Sequence, residues 1–230
     1  MSQDRTDPLA QAGVEPITSG MIVGLGTGRA AGRAIRALGE RARRERLELT
    51  CIATSRASAE LATSEGLRVV EMGSVARLDY LFDGADEMDA EMRMIKGGGG
   101  AMTREKIAAH ASARRVYLLQ RSKLVTRLGT GAPLPVEVLG CAVASVQRAL
   151  SERGLTGQVR RSKEGNEVLT DDGNPVLDVR LPGEWDLENL DRFLNALPGV
   201  VGHGLFLTEA DEALIEDGEG GRVERRKRGE

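Results

Sequence analysis

The sequence predicts an α/β protein, in which a Rossmann-like parallel sheet with helices on both faces is joined by a smaller α+β domain of ferredoxin-like type. Short apolar runs, bounded by glycine or polar residues, have the length of buried parallel strands. They alternate with stretches in which apolar residues recur at helical spacing, as Ala30, Ala34 and Leu38 do. Beyond Gly129 the order becomes strand, helix, several strands and helix, which predicts the second domain.

The first predicted domain follows this alternation from residue 21 onward, after a short helix at about 9–13. Ser55 stands where a hydroxyl can cap the helix predicted at 56–65, and Gly66 stands where that helix ends. The predicted strands are 21–25, 47–54, 67–71, 78–82 and 116–120. The other predicted helices are 29–46 and 102–113.

The second predicted domain follows a connection that contains Pro133 and Pro135. Its predicted strands are 136–139, 159–161, 168–170 and 176–181, and its predicted helices are 142–153 and 187–197. The sequence therefore predicts two domains. The first comprises residues 1–128 and is completed by about 204–230. The small α+β domain comprises residues 129–203. Residues 204–207 and 213–215 are expected to return to the first sheet. The charged, glycine-rich tail from Asp217 is expected to be frayed.

The composition is that of an ordinary globular protein. Of 230 residues, 40% are hydrophobic and 29% charged, and the net charge is -3, so no nucleic acid is expected as a partner. The first 20 residues are charged and lack the apolar centre of a secretory signal, and no apolar run is long enough to span a membrane. A cytoplasmic location is expected, with Cys51 and Cys141 as buried, inert thiols.

Several polar or glycine-rich loops follow the predicted strands of the first domain directly. They are residues 26–28, 54–55, 83–86 and 120–123. In a parallel sheet, ligands bind beyond the carboxyl ends of the strands. The sequence therefore predicts a ligand site formed by these loops.

The first of these loops belongs to the motif GTGRAA, which matches a dinucleotide-binding fingerprint. That fingerprint also requires an acid at the end of the second strand to bind the ribose. Here the strand ends in Thr54 and Ser55, so a nicotinamide cofactor is disfavoured. Two interpretations remain, a structural tight turn or a turn before a helix N-terminus that binds a phosphate or hydroxyl group.

Residues 83–106 hold the densest group of reactive side chains. Asp83 and Asp86 follow a strand, Lys96 precedes four glycines, and Glu105 falls in the first turn of a predicted helix. Backbone N–H groups of glycines and a lysine can bind an anion, and nearby carboxylates can transfer protons.

Each of these features also has a structural alternative. The two acids could cap a turn or bind a divalent metal, the glycines could form a linker, and Glu105 could serve only the helix dipole. The acids lack the spacing of a calcium loop, and linkers usually run longer and richer in serine. Proton transfer by the acids and anion binding by the glycines are therefore favoured, with no metal expected.

The chain resembles ribose-5-phosphate isomerases of the A type in a series of stretches that keep the family's order. They are GLGTG (24–28), TSRASAELA (54–62), LDYLFDGADEMD (78–89), MIKGGGGAMTREKIA (94–108), SK, LG and PLPVEV within 122–138, TDDGNPVLDV (170–179) and PGVVGHGLF (198–206). The combination of DGAD with KGGGGA and REK is the most specific of these.

The resemblance implies an aldose–ketose isomerase that interconverts D-ribose 5-phosphate and D-ribulose 5-phosphate in the non-oxidative pentose phosphate pathway, without metal or other cofactor. It implies that Glu105 moves a proton between C2 and C1 through an enediolate. Asp83 and Asp86 would hold sugar hydroxyls and assist ring opening, and Lys96 would stabilise the oxyanion. The further substrate-binding residues that it implies are Thr27, Gly28, Arg29, Ala30, Gly84, Ala85, Gly97, Gly98, Gly99 and Lys123.

Two departures from the family pattern concern the phosphate. The family usually reads GTGST, where this chain has Arg29 and Ala30 after the second glycine. Arg29 either binds phosphate as a charged fork or points to solvent. The family also often has an acid shortly before the SK lysine, where this chain has Gln120 and Arg121.

Two other functions remain as alternatives to the isomerase. A sugar-phosphate-sensing domain would bind without turnover, and the presence of Glu105 disfavours it. A nucleotide-dependent oxidoreductase is disfavoured by the missing ribose acid.

The resemblance further implies a homodimer, or a pair of dimers, that forms through the smaller domain.

Overall fold

The structure is a computed structural model that describes residues 7–218 and 221–229. The first six residues, which form part of the segment judged not to be a secretory signal, lie outside the described residues. The chain forms two compact units. The first comprises residues up to Ala85, Arg104–Lys123 and residues from Glu209 onward, and the second comprises Asp86–Thr103 and Leu124–Thr208.

The first unit contains a six-stranded sheet whose strands are numbered here in chain order. In spatial order they are β13 (Val223–Lys227), β12 (Glu212–Glu216), β6 (Arg115–Gln120), β3 (Tyr80–Gly84), β1 (Ile22–Leu25) and β2 (Thr50–Ala53). All neighbours pair in parallel except β13, which is antiparallel to β12. The helices are α1 (Pro8–Val14), α2 (Arg29–Glu45), α3 (Arg56–Ser64) and α4 (Met102–Ala111). This arrangement confirms the predicted parallel α/β sheet.

Both faces of this sheet are buried, as expected for parallel strands between helices. Leu25, Phe82 and Val116 belong to a core that also includes apolar residues of α1, α2 and α3. Leu81 and Tyr117, which alternate with them along the strands, are also shielded from solvent. The apolar runs were recognisable in the sequence because burial on two faces leaves no polar alternation.

The helix ends follow from local side-chain chemistry. Asp7 precedes α1 and accepts a hydrogen bond from the Ala10 N–H at 3.0 Å, with Pro8 in the first turn. Ser55 caps α3 by accepting from the Ser58 N–H at 3.2 Å, which confirms the predicted cap.

Arg33 of α2 binds two carboxylates from distant parts of the chain. Its Nε lies 2.5 Å from Oδ2 of Asp7, and its Nη1 lies 2.5 Å from Oε1 of Glu216, which is fully buried at the end of β12. Hydrogen bonds from Arg33 to Glu216 and then to Asp7 raise the pKa of the guanidinium. Arg33 therefore remains charged and attaches α1 and β12 to α2.

Two predictions for this unit were wrong. Residues 67–71 form no strand, because Val69 makes only an isolated parallel bridge to Cys51. The charged tail is not frayed throughout, since Val223–Lys227 forms β13 at the edge of the sheet. Residues 219–220 of that tail lie outside the described residues. The predicted return of 213–215 to the sheet is confirmed by β12.

The second unit contains a four-stranded antiparallel sheet with two helices. Its elements in chain order are β7 (Leu134–Val138), α5 (Val143–Ser151), β8 (Thr156–Val159), β9 (Val176–Arg180), α6 (Leu187–Ala196) and β10 (Val200–His203). The spatial order is β10–β7–β9–β8, so the sheet has the ferredoxin-like βαββαβ topology. The predicted ferredoxin-like class is confirmed, and β10 supplies a final strand that the sequence analysis did not predict. Apolar residues of both helices and of the sheet, such as Val136, Leu150 and Leu194, form its core.

A three-stranded sheet completes the second unit. It consists of β4 (Glu87–Met88), β5 (Met94–Ile95) and β11 (Leu205–Phe206), in the order β11–β5–β4. Residues 204–207 therefore do not return to the six-stranded sheet, which corrects the prediction. Residues 168–170 also form no strand, because Leu169 makes only an isolated bridge to Pro175.

The compact units do not coincide with the division made from the sequence. Residues 86–103, 124–128 and 204–208 belong to the second compact unit. The domain boundaries at 129 and 203 stay a prediction about which parts fold independently.

Of the two cysteines, Cys51 is buried as expected, whereas Cys141 is exposed, contrary to expectation. No helix among the described residues has the length and apolar character needed to cross a membrane.

Candidate active site

Asp83 is the next-to-last residue of β3 and fixes the first glycine turn of the sheet. Its side chain is fully buried, and Oδ1 accepts hydrogen bonds from the N–H groups of Thr27 at 3.0 Å and Gly84 at 2.7 Å. A Cβ at Gly26 would lie 2.1 Å from the same carboxylate oxygen, so only glycine fits there. The structure thus brings together the GTG motif and the DGAD motif, two features that the sequence analysis selected separately.

Side chains from the end of β2 support the same turn. The Thr27 hydroxyl donates to Ser55 Oγ at 2.9 Å, and the Ser58 hydroxyl donates to the carbonyl of Gly26 at 2.7 Å. Thr54 and Ser55, whose hydroxyls both contact that of Thr27, stand where the dinucleotide fingerprint would require an acid. Their structural role is to fix the conformation of residues 26–28.

The N-terminus of α2 is open for an anion. Gly28 is its N-cap residue, with a φ of 103°, and no side chain caps the helix. The first N–H groups of α2 therefore face outward from the turn, with the partial positive charge of a helix N-terminus. Ala30 lies close by, since a Cβ at Gly84 would lie 3.8 Å from its methyl group.

The two cations predicted for the phosphate are both accessible. Arg29 is exposed, and its side chain makes no hydrogen bond or ion pair with another described residue. Lys123 is partly exposed and ends a short 3₁₀ turn, Arg121–Lys123, that follows β6. Arg121 itself pairs with Asp217 and, at 2.6 Å, with Glu224 of β13. Arg121, one of the two residues that stand where the family often has an acid, therefore anchors this turn to the C-terminal hairpin.

Glu105 lies in the first turn of α4, and its side chain is only 4% exposed. Its carboxylate acts electrostatically on Tyr117, a fully buried residue that pairs with Asp83 in the register of β3 and β6. Burial raises the pKa of Tyr117 well above its usual value, and the negative charges of Asp83, Glu209 and Glu105 raise it further. Tyr117 therefore stays protonated, and the charges of both Asp83 and Glu105 act on it within the first unit. Sequence reasoning did not select it, because VYLLQ is read as an ordinary buried strand.

Asp86 and the glycine segment form one structure within the second unit. Oδ2 of Asp86 accepts a hydrogen bond from the Gly98 N–H at 2.7 Å, and the Asp86 N–H donates to the Ile95 carbonyl at 2.9 Å. A Cβ at Gly98 would lie 2.8 Å from Oδ1 of Asp86. The structure thereby joins two predicted site features, the second acid and the glycines.

Lys96 is 2% exposed, and its backbone N–H donates to the Gly204 carbonyl at 2.8 Å. Its ammonium group lies 5.7 Å from the ring centroid of Phe206, within the range of a cation–π interaction. The chain then turns at Gly97, which has a φ of 97°, and the Gly100 N–H donates to the Gly97 carbonyl at 2.9 Å. The segment is a hydrogen-bonded turn between β5 and α4, which excludes the linker interpretation.

Arg160 is a site-supporting residue that the sequence analysis missed. Its Nη1 donates to the carbonyls of Gly97 at 2.9 Å and Gly98 at 3.0 Å, while the rest of the guanidinium pairs with Asp178 of β9. No sequence pattern pointed to Arg160, because its partners are backbone carbonyls and the separation along the chain exceeds 60 residues.

The predicted site residues therefore fall into two groups. The first unit holds Thr27, Gly28, Arg29, Ala30, Asp83, Gly84, Ala85, Glu105 and Lys123, and the second unit holds Asp86, Lys96, Gly97, Gly98 and Gly99. Gly99 is exposed and Ala85 is partly exposed. Within the described ranges, no group of three or more His, Cys, Asp and Glu side chains is arranged to hold a metal.

Comparison with known proteins identifies the family. The sequence model of ribose 5-phosphate isomerase A (phosphoriboisomerase A) matches residues 50–220. The chain belongs to the ribose 5-phosphate isomerase A family. It is 42% identical over 209 residues to the ribose-5-phosphate isomerase A of Thermosynechococcus vestitus, a match that covers 90% of this chain and 89% of that protein.

Solved structures of ribose 5-phosphate isomerases have the same fold. The enzyme from Methanocaldococcus jannaschii is 38% identical, with a TM-score of 0.88 over 95% of this chain and 96% of that one. A D-ribose-5-phosphate isomerase in complex with phospho-erythronic acid is 30% identical, with a TM-score of 0.88 over 96% of each chain. The resemblance read from the motifs is therefore confirmed, and an isomerase is supported rather than a sensing domain.

Proposed function

We propose that this chain interconverts D-ribose 5-phosphate and D-ribulose 5-phosphate, with Glu105 as the residue that transfers the proton. The single observation that carries this assignment is the burial of the Glu105 carboxylate in the first turn of α4. That turn follows the glycine segment directly in a chain of this isomerase family.

The chemistry requires one base and several hydrogen-bond donors. Glu105 takes the proton from C2 of the open-chain aldose, which gives an enediolate with negative charge on O1. The protonated carboxylate then returns that proton to C1 while the O2 hydroxyl proton passes to O1, which gives the ketose. A positioned general base typically contributes about 10²–10⁴-fold to the rate. The burial of Glu105 keeps water from exchanging with the transferred proton.

The negative charge that develops on O1 and O2 needs fixed donors. Lys96 and the N–H groups of the glycine segment are the proposed donors. Lys96 is almost fully buried, and the turn is closed by hydrogen bonds, so these donors are fixed in place. Asp83 and Asp86 are proposed to accept hydrogen bonds from sugar hydroxyls and to assist ring opening. Each keeps one oxygen engaged with backbone N–H groups, which fixes its orientation.

The phosphate is proposed to bind at the open N-terminus of α2. Thr27, Gly28, Arg29 and Ala30 form this end of the site, and Lys123 supplies a second cation. The uncapped helix end and the accessible Arg29 support this assignment. Phospho-erythronic acid, bound in a related isomerase, is a suitable probe, because its planar carboxylate resembles an enediolate and its phosphate resembles that of the substrate.

A homodimer, or a tetramer built from two dimers, is proposed for the assembled protein. In support, β10 is an edge strand of the four-stranded sheet, and Val201 on it is 41% exposed. Leu139 and Leu169 of the same unit are also large apolar residues with about half their surface exposed. We expect light scattering to report a dimer, and Val201→Arg to yield a monomer. A cytoplasmic location, consistent with two free cysteines, stays part of the proposal.

The decisive experiment measures ribulose 5-phosphate formation with a chelator present. Glu105→Gln should lower kcat by about 10³-fold or more while phospho-erythronic acid still binds within a few-fold of wild type. Glu60→Gln, at an exposed acid of α3, is the control and should leave kcat unchanged. An active Glu105→Gln protein would reject Glu105 as the base, and binding without any turnover in wild type would favour the sensing domain.

A further inference from the structure

Arg160 connects two elements of the second unit through nearly all of its hydrogen-bond donors. It follows β8, and its side chain is 13% exposed. Nη1 donates to the carbonyls of Gly97 and Gly98, while Nε and Nη2 donate to Oδ2 of Asp178 at 3.0 Å and Oδ1 at 2.5 Å. A guanidinium can make this fork to a carboxylate and still present a third nitrogen to two carbonyls.

The contacts of Arg160 fix the directions of the neighbouring N–H groups. A peptide unit is planar, so its carbonyl and the following N–H point in opposite directions. In the Gly97–Gly98 unit, Arg160 holds the carbonyl and Asp86 accepts from the N–H at 2.7 Å. In the Gly98–Gly99 unit, Arg160 holds the carbonyl, and the N–H of exposed Gly99 points away from it with no acceptor among the described residues.

We propose that Arg160 is a positioning residue that orients the Gly98 and Gly99 peptide units, so that the Gly99 N–H is directed at the oxyanion of the reacting sugar. This inference rests on the proposed function and adds to it a residue outside the motifs. Four consecutive glycines would otherwise have wide conformational freedom. The charge of Arg160 on the two carbonyls also polarises the peptide units and makes their N–H groups better donors. Asp178 orients the guanidinium and compensates its charge.

The first test compares substitutions of Arg160 with the same substitution of its neighbour. Arg160→Met should lower kcat about 30-fold or more and change KM less than threefold, because donors that act on developing charge contribute mainly in the transition state. Arg160→Lys should retain an intermediate kcat, since an ammonium cannot hold two carbonyls and a carboxylate together. Arg161→Met is the control, because Arg161 is exposed and its side chain donates to the Gly165 carbonyl in its own turn, with no contact to the glycine segment among the described residues. It should leave kcat within twofold.

Chemical rescue distinguishes positioning from a general loss of structure. Guanidinium ion at millimolar concentration should restore part of the kcat of Arg160→Ala, and it should have no such effect on Arg161→Ala. A folded Arg160→Met protein with unchanged kcat would overturn the inference. Equal losses in the Arg160 and Arg161 variants would overturn it as well.

A second readout requires no turnover. Hydrogen exchange of a peptide that covers residues 94–101 should be faster in Arg160→Met than in wild type and unchanged in Arg161→Met. The Gly98 and Gly100 N–H groups, which donate to Asp86 and Gly97, should account for the difference. If wild type does not isomerise ribose 5-phosphate, the proposed function fails, and this exchange experiment still decides whether Arg160 orders the glycine segment. Identical exchange in the three proteins would contradict the inference.

Discussion

The Thr103 hydroxyl donates a hydrogen bond to the carboxylate of Glu137, which is buried in β7. Glu137 also accepts from the Thr170 hydroxyl at 2.8 Å and from the Asn174 side chain at 2.9 Å. On the other side, a Cβ at Gly202 would lie 2.3 Å from the Thr103 hydroxyl oxygen. The second residue of α4 is therefore held from two directions, and Glu105 follows two residues later in the same turn.

Thr103→Val should lower kcat about tenfold with little change in KM, because a shifted first turn of α4 misplaces the Glu105 carboxylate. The variant should also lose about 1–3 kcal/mol of stability, since one Glu137 oxygen loses its donor. Thr170→Val is the matched control, because it removes a donor from the other oxygen of the same carboxylate. It should lose less stability than Thr103→Val, because the Asn174 side chain still donates to Oε1, and it should keep kcat within twofold. Steady-state kinetics and urea unfolding measure both effects, and equal kcat losses would contradict the prediction.

Gly97→Ala should be more destabilising than Gly100→Ala. Both glycines have positive φ, so alanine costs about 1–2 kcal/mol of backbone strain at either position. At Gly97 the new methyl would also lie 2.8 Å from the Met102 Cβ, adding about 1–3 kcal/mol, whereas nothing lies within 4 Å at Gly100. Urea denaturation compares the two variants. A Gly97→Ala protein as stable as Gly100→Ala would mean that α4 shifts freely at its start.

Arg29→Ala should raise KM for ribose 5-phosphate roughly fivefold, equivalent to about 1 kcal/mol for one exposed ionic contact. The effect on kcat should be small, because the phosphate lies away from the reacting carbons. Arg36→Ala, two turns further along the exposed side of α2, is the control for the loss of charge. An unaltered KM in Arg29→Ala would mean that this arginine faces solvent in the complex.

Asp211 should contribute stability that is lost in acid. Burial alone raises its pKa, but hydrogen bonds from the side chain and backbone of Arg115 outweigh this effect and lower the pKa below its ordinary value. A lowered folded-state pKa stabilises the protein above the unfolded pKa of about 3.9, and the contribution disappears as the pH falls through the folded value. Asp211→Asn should therefore have a lower Tm than wild type at pH 6, and the two Tm values should converge near pH 2.

Calorimetry over this pH range measures the effect of Asp211. Glu40→Gln, at an exposed acid of α2, should track wild type at every pH. A constant difference in Tm between Asp211→Asn and wild type from pH 6 to pH 2 would show that the ionised carboxylate does not stabilise the fold.

The elements that the sequence predicted well are those whose burial is complete. The strands β1, β3 and β6 are short apolar runs, because both of their faces are buried. Such a run can be recognised in the sequence without knowing which strand it pairs with. The strand β13 was missed because VERRK contains a single apolar residue, and pairing with β12 through the backbone holds it at the sheet edge. Backbone pairing of this kind depends on tertiary structure and leaves no pattern in composition.

Candidate site residues could be chosen from the sequence where the chemistry resides in side chains. Asp83, Asp86, Lys96 and Glu105 were chosen from residue type and position in the chain, and their roles stay a prediction. The residues that contact the neighbouring backbone and hydroxyl groups could not be chosen, because Arg160 binds carbonyls more than 60 residues away and Glu137 binds hydroxyls from distant segments. Such contacts are created by the fold, and a single sequence contains no local trace of them.

The double ion pair of Arg33 has a practical consequence for protein engineering. One guanidinium contacts Asp7, the first described residue, and Glu216, in the last strand of the parallel run. An N-terminal deletion that removes Asp7 should therefore leave Arg33 with a single carboxylate partner among the described residues and weaken the attachment of α1 to α2. A purification tag is better placed ahead of Asp7 than in exchange for it.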